Sequence, residues 1–237
     1  MPFISIDFWN TIVIAKSNGP QRLQARLEAL HALAAEQETQ LSNAQIEEAH
    51  QRASQYFDKV WLGTQRTPDA AELVGYTLEH LGLKCEPEVQ ARITRIYEDS
   101  LLDGPPDLAP GAADAIAALS EKFELGIISD TMFSPGRVLR NHLEEKGIKQ
   151  YFSSFAFSNE VGVSKPHPNM FEKVLAETGA GKQGSWHIGD MQPTDIKGAQ
   201  AYGIKGLLYT GVSDTFAQDT TADLVCDSWE QIVRKLI

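Results

Sequence analysis

Apolar residues open the chain in a short run of β-branched and aromatic positions, Phe3-Ile4-Ser5-Ile6, which predicts a buried strand over 3–7 ending at Asp7. Asn18-Gly19-Pro20 reads as a turn and a hinge. From there to about residue 102 the period lengthens to that of a helix. Leu23, Leu27, Leu30 and Ala34 keep one face, and Ile46, Ala49, Ala53, Phe57 and Trp61 keep another. Thr67-Pro68 predicts an N-cap and a first-turn proline ahead of Leu73, Val74, Leu78 and Leu81, and Pro87 opens a further helix through Val89, Ile93 and Ile96. Helices following one another with no strand between them predict a bundle, with Tyr56, Phe57 and Trp61 in its core rather than forming a platform for a ligand.

The stretch Asp103-Gly104-Pro105-Pro106-Asp107-Leu108-Ala109-Pro110-Gly111 is a linker, and beyond it the pattern alternates. Strands are predicted at 124–128, 155–157, 186–188, 205–209 and 224–225, and helices at 112–119, 135–146, 168–177, 194–202 and 229–237. Such alternation predicts a doubly wound, largely parallel α/β sheet of Rossmann type, covered by helices on both faces. The first strand belongs to that sheet, so the organisation expected is an α/β core of residues 1–15 and 104–237 with a helical unit, 16–103, inserted into it. The insert, hinged at both ends, can sit over the sheet's carboxyl edge.

Composition narrows the function. Lys plus Arg number 21 and Asp plus Glu 32, a formal charge of −11. No basic run offsets it, which argues against nucleic acid or an anionic membrane as partner and requires a local cation wherever an anionic substrate binds. Cys85 and Cys226 lie far apart and form no CxxC pair, so reduced thiols in a cytosolic protein are expected. No secretory leader precedes the first strand and no apolar run reaches membrane-spanning length, again the pattern of a cytoplasmic protein. A small-molecule partner and a monomer or homodimer are expected.

The candidate chemistry falls at strand ends or just beyond them: Asp7, Ser129 with Asp130, Lys165, and Asp190 with Asp195. In a parallel sheet those ends share one edge, where ligands bind. Asp7, Asp190 and Asp195 are oxygen donors of the sort Mg²⁺ prefers. Ser129 can donate a hydrogen bond to a phosphoryl oxygen. Lys165, in a loop stiffened by Pro166 and Pro168, can neutralise both a carboxylate nucleophile and the group it attacks. Each residue also has a plain structural reading: Asp7 capping a turn, Lys165 on the surface, Asp190 as a cap, Asp195 in the first turn of a helix. His187, inside a strand, reads as a satisfied core histidine, and His167 as a loop residue.

Four segments in order, Ile6-Asp7-Phe8-Trp9-Asn10-Thr11, Ile127-Ile128-Ser129-Asp130, Lys165-Pro166-His167-Pro168, and Ile188-Gly189-Asp190 with Asp195, resemble the four motifs of the haloacid dehalogenase-like superfamily. The helical insert resembles that family's cap. The resemblance implies a hydrolase, and a Mg²⁺-dependent phosphatase of a small phosphorylated metabolite before other family activities. Asp7 would be the nucleophile, carrying an aspartyl-phosphate. Asp7, Asp190 and the backbone carbonyl of Trp9 would hold the metal, with Asp195 in support. Ser129 and Lys165 would complete the catalytic set, and Trp9, Asn10, Thr11, Ser129, Asp130 and Lys165 the surface that meets substrate.

The sequence departs from the family at Trp9, where phosphatases of the family usually carry a second Asp that protonates the leaving group and activates water. Indole does not titrate. The cap could supply the acid, from Glu28, His31, His50 or His80; the leaving group could be good enough to need none; or the chain could be a dehalogenase, since halide leaves without a proton. A weakly active or inactive binding protein is the remaining reading.

Overall fold

In the computed structural model, which describes residues 2–237, the buried segment Phe3–Ile6 forms β1 in the interior of a six-stranded sheet. The other strands are β2 (Glu124–Ser129), β3 (Phe152–Phe157), β4 (Trp186–Gly189), β5 (Lys205–Tyr209) and β6 (Leu224–Cys226). Their order is β3-β2-β1-β4-β5-β6 and every pairing is parallel. The chain reverses its direction of travel across the sheet between β1 and β4, the switch point at which such sheets open a crevice. β3 starts at Phe152, earlier than predicted, because Ser153 and Ser154 interrupt the apolar run while Phe152, Ser154 and Ala156 still alternate inward.

Four helices, α1 (Gly19–Glu36), α2 (Asn43–Thr64), α3 (Ala70–His80) and α4 (Pro87–Asp103), follow β1 and pack around their own apolar cluster, which includes Leu30, Leu33, Ile46, Leu73, Leu78 and Ile93. Two of their details differ from the sequence reading. Leu23 is 38% exposed, because the inward stripe of α1 starts with Arg22 and continues through Leu27, Ala29, Leu30 and Leu33. Asp69, not Thr67, caps α3, its carboxylate accepting from the Glu72 N–H at 2.8 Å. A carboxylate satisfies an orphan N–H there and favours the positive helix end, so Pro68 stands just outside the helix.

The remaining helices are α5 (Ala112–Ser120), α6 (Gly136–Glu145), α7 (Ser158–Val161), α8 (Pro168–Thr178), α9 (Lys197–Tyr202) and α10 (Trp229–Leu236), the last but one preceded by a π-turn at Gln192–Ile196. α5, α6 and α10 pack with one face of the sheet around Ile6, Ile127, Leu139 and Trp229, and α8 and α9 with the other around Phe3, Ile128, Phe171 and Ala199. Among the described residues no helix is long and apolar enough to cross a membrane.

Entry to and exit from the four-helix unit run side by side. Ala109 N–H bonds the Ile12 carbonyl at 2.8 Å, Ile14 N–H the Asp107 carbonyl at 2.9 Å, and Asp107 N–H the Ser17 hydroxyl at 2.8 Å. Arg22 fastens the same neck, donating to the carbonyls of Ser17 at 2.9 Å, Gly104 at 2.6 Å and Ala15 at 2.5 Å. Gly104 has no room for a Cβ, which would meet the Asn18 carbonyl.

On α6, His142 is fully buried, and among the described residues neither ring nitrogen has a hydrogen bond of normal geometry. Burial, chiefly, holds its pKa down near 4 against an ordinary 6.5. The unfolded chain therefore binds a proton as pH falls through 6.5, and the folded chain does not until about 4. This contribution to stability is whole above pH 6.5 and is lost on acidification towards 4, by up to about 3 kcal/mol. Urea unfolding at several pH values should show a shallower acid loss for His142→Leu than for the wild type; equal slopes would contradict this assignment.

Candidate active site

The carboxyl ends of β1, β2 and β4 meet beneath the four-helix unit around a cavity of about 310 Å³. Asp7 is placed by the sheet itself: its N–H bonds the Ile188 carbonyl at 2.8 Å, continuing the β1–β4 pairing by one residue. The chain then turns tightly, with Asn10 in the left-handed region at φ 52°, its side-chain oxygen accepting from the Ala15 N–H at 3.3 Å. This turn sets Trp9 and Asn10 in the cavity wall.

Lys165 organises the charges. Its ammonium, 3% exposed, donates to Asp7 Oδ1 at 2.5 Å, to Asp195 Oδ1 at 2.7 Å and to the Ile128 carbonyl at 3.2 Å. Burial alone would favour neutral lysine, but Asp195 and Asp7 overcome it and hold the cation well above its ordinary range. Asp195 is anchored on every side. Oδ1 also faces His187 Nε2 at 3.1 Å, and Oδ2 accepts from the Met191 N–H at 2.8 Å. Despite burial, Lys165 and His187 hold its pKa low. His187 is in turn bonded to Ser5 Oγ through Nδ1 at 2.8 Å, so both ring nitrogens are engaged. Gly189 lacks a Cβ because the Asp195 carboxylate lies where one would stand.

Asp7 and Asp190 are left short of counter-charge. Burial raises Asp7 well above the usual carboxylate range even with Lys165 beside it, and burial with the Asp195 charge pushes Asp190 up to about 7. Asp130, raised to about 6 mainly by burial, accepts from the Lys165 N–H at 2.9 Å and from the Trp61 indole N–H at 3.0 Å. That second bond ties α2 to the end of β2.

Asp7, Trp9, Asn10, Asp130, Lys165, Asp190 and Asp195 thus share one cavity. Two expected phosphate contacts lie behind its wall. Ser129 is fully buried and its hydroxyl donates to the Asp130 carbonyl at 3.3 Å. Thr11 is fully buried, its hydroxyl has no partner among the described residues, and it braces the loop through its carbonyl, which accepts from the Trp229 indole at 3.1 Å. A strand-end position fixes where a hydroxyl starts but not which side it turns to. None of Glu28, His31, His50 and His80 lines the cavity. His167 caps α8, accepting from the Asn169 N–H at 3.2 Å.

The sequence reading missed the cap-side wall: Arg22, Arg26, Phe57, Trp61, Met132 and Phe133. Placing Trp61 in the bundle core is corrected here, since it is only half-buried and its N–H reaches Asp130. One signal was available: Arg22 and Arg26 interrupt the inward stripe of α1 at helical spacing.

The oxygen donors suit a small divalent cation. Asp190 is close enough to Asp7 to raise its pKa, and one lysine does not balance the buried acids around it. Among the described residues no three His, Cys, Asp or Glu side chains surround a common point, and Asp195 has both oxygens engaged. The two carboxylates of Asp7 and Asp190, completed by water and substrate oxygens, are a donor set of the kind Mg²⁺ accepts.

Lys165→Met should leave Asp7 and Asp195 buried without their counter-charge. A stability loss on the order of 3 kcal/mol is expected, at the lower end for a broken buried pair because Asp7 readily takes up a proton. Urea unfolding at pH 8 reads it, and a loss below about 1 kcal/mol would mean the pair is not what holds this edge together.

A parallel sheet beneath a four-helix unit, with an acid at the end of its first strand and a buried lysine beside it, is a scaffold suited to hydrolysis. Residues 42–208 match the family described as haloacid dehalogenase-like hydrolase, and the chain belongs to that family. The match begins beyond the first strand and does not include Asp7. Over 169 residues the chain is 27% identical to haloacid dehalogenase-like hydrolase domain-containing protein 3 of Bos taurus, covering 70% of this chain and 66% of that protein. It is 28% identical over 133 residues to glyceraldehyde 3-phosphate phosphatase of Methanopyrus kandleri, covering 54% and 53%. The chain therefore spans two thirds or less of these relatives. Two solved structures share its fold: 2-haloacid dehalogenase from Pseudomonas syringae (TM-score 0.69, 19% identity, 100% and 97% covered) and the HAD-hydrolase YfnB from Bacillus subtilis bound to magnesium (0.67, 20%, 99% and 98%).

Proposed function

We propose that this hydrolase transfers a phosphoryl group from a small phosphorylated metabolite to Asp7 and then to water, with Mg²⁺ as cofactor. The observation that carries the reading is Lys165 bridging Asp7 and Asp195 in the cavity that also holds Asp190. Among the described residues only one oxygen of Asp7, Oδ1, is hydrogen-bonded, which leaves Oδ2 to attack phosphorus. The ester oxygen departs with the bond electrons; water then attacks the same phosphorus, frees phosphate and restores the carboxylate. Lys165 orients Asp7 and screens the charge between carboxylate and phosphoryl group, and Asp195 and His187 hold Lys165 in place. Asp7, Asp190 and the Trp9 carbonyl would hold Mg²⁺, which supplies charge stabilisation to the phosphoryl oxygens. Closure of the four helices would exclude water from the cavity. The phosphatase name of the M. kandleri relative agrees with this chemistry.

Trp9 restricts the leaving group. No side chain there can protonate an alkoxide, so acyl and aryl phosphates are the substrates the site handles unaided. Phosphate release from acetyl phosphate or p-nitrophenyl phosphate should require Mg²⁺ and stop with chelator. Trp9 also favours a second reading, dehalogenation, because a halide needs no proton. Halide release from a 2-haloacid, unaffected by chelator, would replace the phosphatase reading.

A further inference from the structure

Three cations line the cavity, and two are fully engaged: Lys165 by Asp7 and Asp195, Arg22 by carbonyls of the neck. Arg26 is not. Its Nε donates to Ser100 Oγ at 2.8 Å, and its guanidinium lies 4.3 Å over the Phe133 ring, with Tyr97 at 5.8 Å. Among the described residues its Nη1 and Nη2 groups have no acceptor and it forms no ion pair. Burial pulls its pKa down to about 10, the mark of a cation taken from water without a counter-charge. Arg26 is half-buried at the cavity wall, and a partly desolvated cation without a counter-charge is costly; the aromatic face recovers only part of that cost. The tether through Nε fixes the plane of the fork and leaves the Nη pair for a planar or tetrahedral oxyanion.

We propose that Arg26 receives a second anionic group of the substrate, carboxylate or phosphate, at the cap side of the cavity, so that the enzyme selects small phosphorylated compounds bearing a further negative charge. This rests on the phosphoryl reading above. The strongly acidic chain makes the point sharper: at a net charge of −11 a dianionic substrate is held only where a cation is placed for it.

The test measures binding, not turnover. Propylphosphonate, 3-phosphonopropionate and 1,3-propanediphosphonate are titrated calorimetrically, with Mg²⁺, into wild type, Arg26→Met and Arg26→Lys. The wild type should bind one or both doubly anionic probes about 10–100-fold more tightly than propylphosphonate, the worth of a charge-assisted pair. Which probe gains identifies the anion. Arg26→Met should erase the preference and leave propylphosphonate within about threefold, and Arg26→Lys should keep part of it. No preference in the wild type, or an equal loss on all probes in both variants, overturns the proposal, the latter by showing that Arg26 only supports the fold. The wild-type preference stands as evidence even if Arg26→Met does not fold. Failure of the phosphoryl reading shows separately, as absence of phosphate release from acetyl and p-nitrophenyl phosphate by the wild type.

Discussion

Asp7→Asn should lower kcat for acetyl phosphate by on the order of 10⁴–10⁶-fold, the range found when a covalent nucleophile is removed. The amide keeps the size of the side chain and its place at the end of β1, since the backbone N–H still bonds the Ile188 carbonyl. What goes is the attacking oxygen. Stability should change little or rise, because Asp7 is a buried acid already pushed towards its neutral form, and Lys165 keeps Asp195 as partner. That combination, no turnover and an undamaged fold, separates a chemical role from a structural one. Initial-rate assays beside thermal unfolding measure both, and retained turnover would remove the mechanism.

Trp9→Asp should give the second large effect, in the opposite direction. An acid two residues beyond the nucleophile can protonate a departing alkoxide and later take a proton from water, a contribution of about 10²–10⁴ in rate. The gain is expected on alkyl phosphates and should be slight on p-nitrophenyl phosphate, whose leaving group needs no proton. Trp9 is half-buried with its ring edge on Phe8 at 5.0 Å, so some packing is lost, and Trp9→Phe serves as the control for it. The backbone carbonyl expected to face the metal is untouched by either change. If folded Trp9→Asp shows no gain on alkyl esters, the missing acid is not what limits the natural protein.

The core site was legible because parallel strands end at one edge. Asp7, Asp130 and Asp190 each follow an apolar run that could be read as a strand, and Lys165 stands in the proline-stiffened loop beyond the third strand, so convergence follows from topology. Asp195 was legible as a member of the site but not as the anchor of Lys165, because that depends on the π-turn that carries its carboxylate back to the Met191 N–H. The orientation of Ser129 and Thr11 was not legible, since a hydroxyl turns about a single bond and local sequence does not choose the rotamer. The cap-side wall was least legible. Phe57, Trp61 and Arg26 are helix positions like many others, and they face the cavity only through the angle at which the neck holds the four helices above the sheet. Nothing in their own periodicity encodes that angle.

The neck has an evolutionary meaning. Its two strands leave the sheet from neighbouring positions, β1 and the segment leading to α5, and are already zipped together before the first residue of the insert. Whatever is grafted beyond Ser17 and before Gly104 begins and ends at the same spot, so a new lid brings almost no cost of chain closure and shifts no strand register. One helical unit can thus be replaced by another at this junction while the sheet below keeps its pairing.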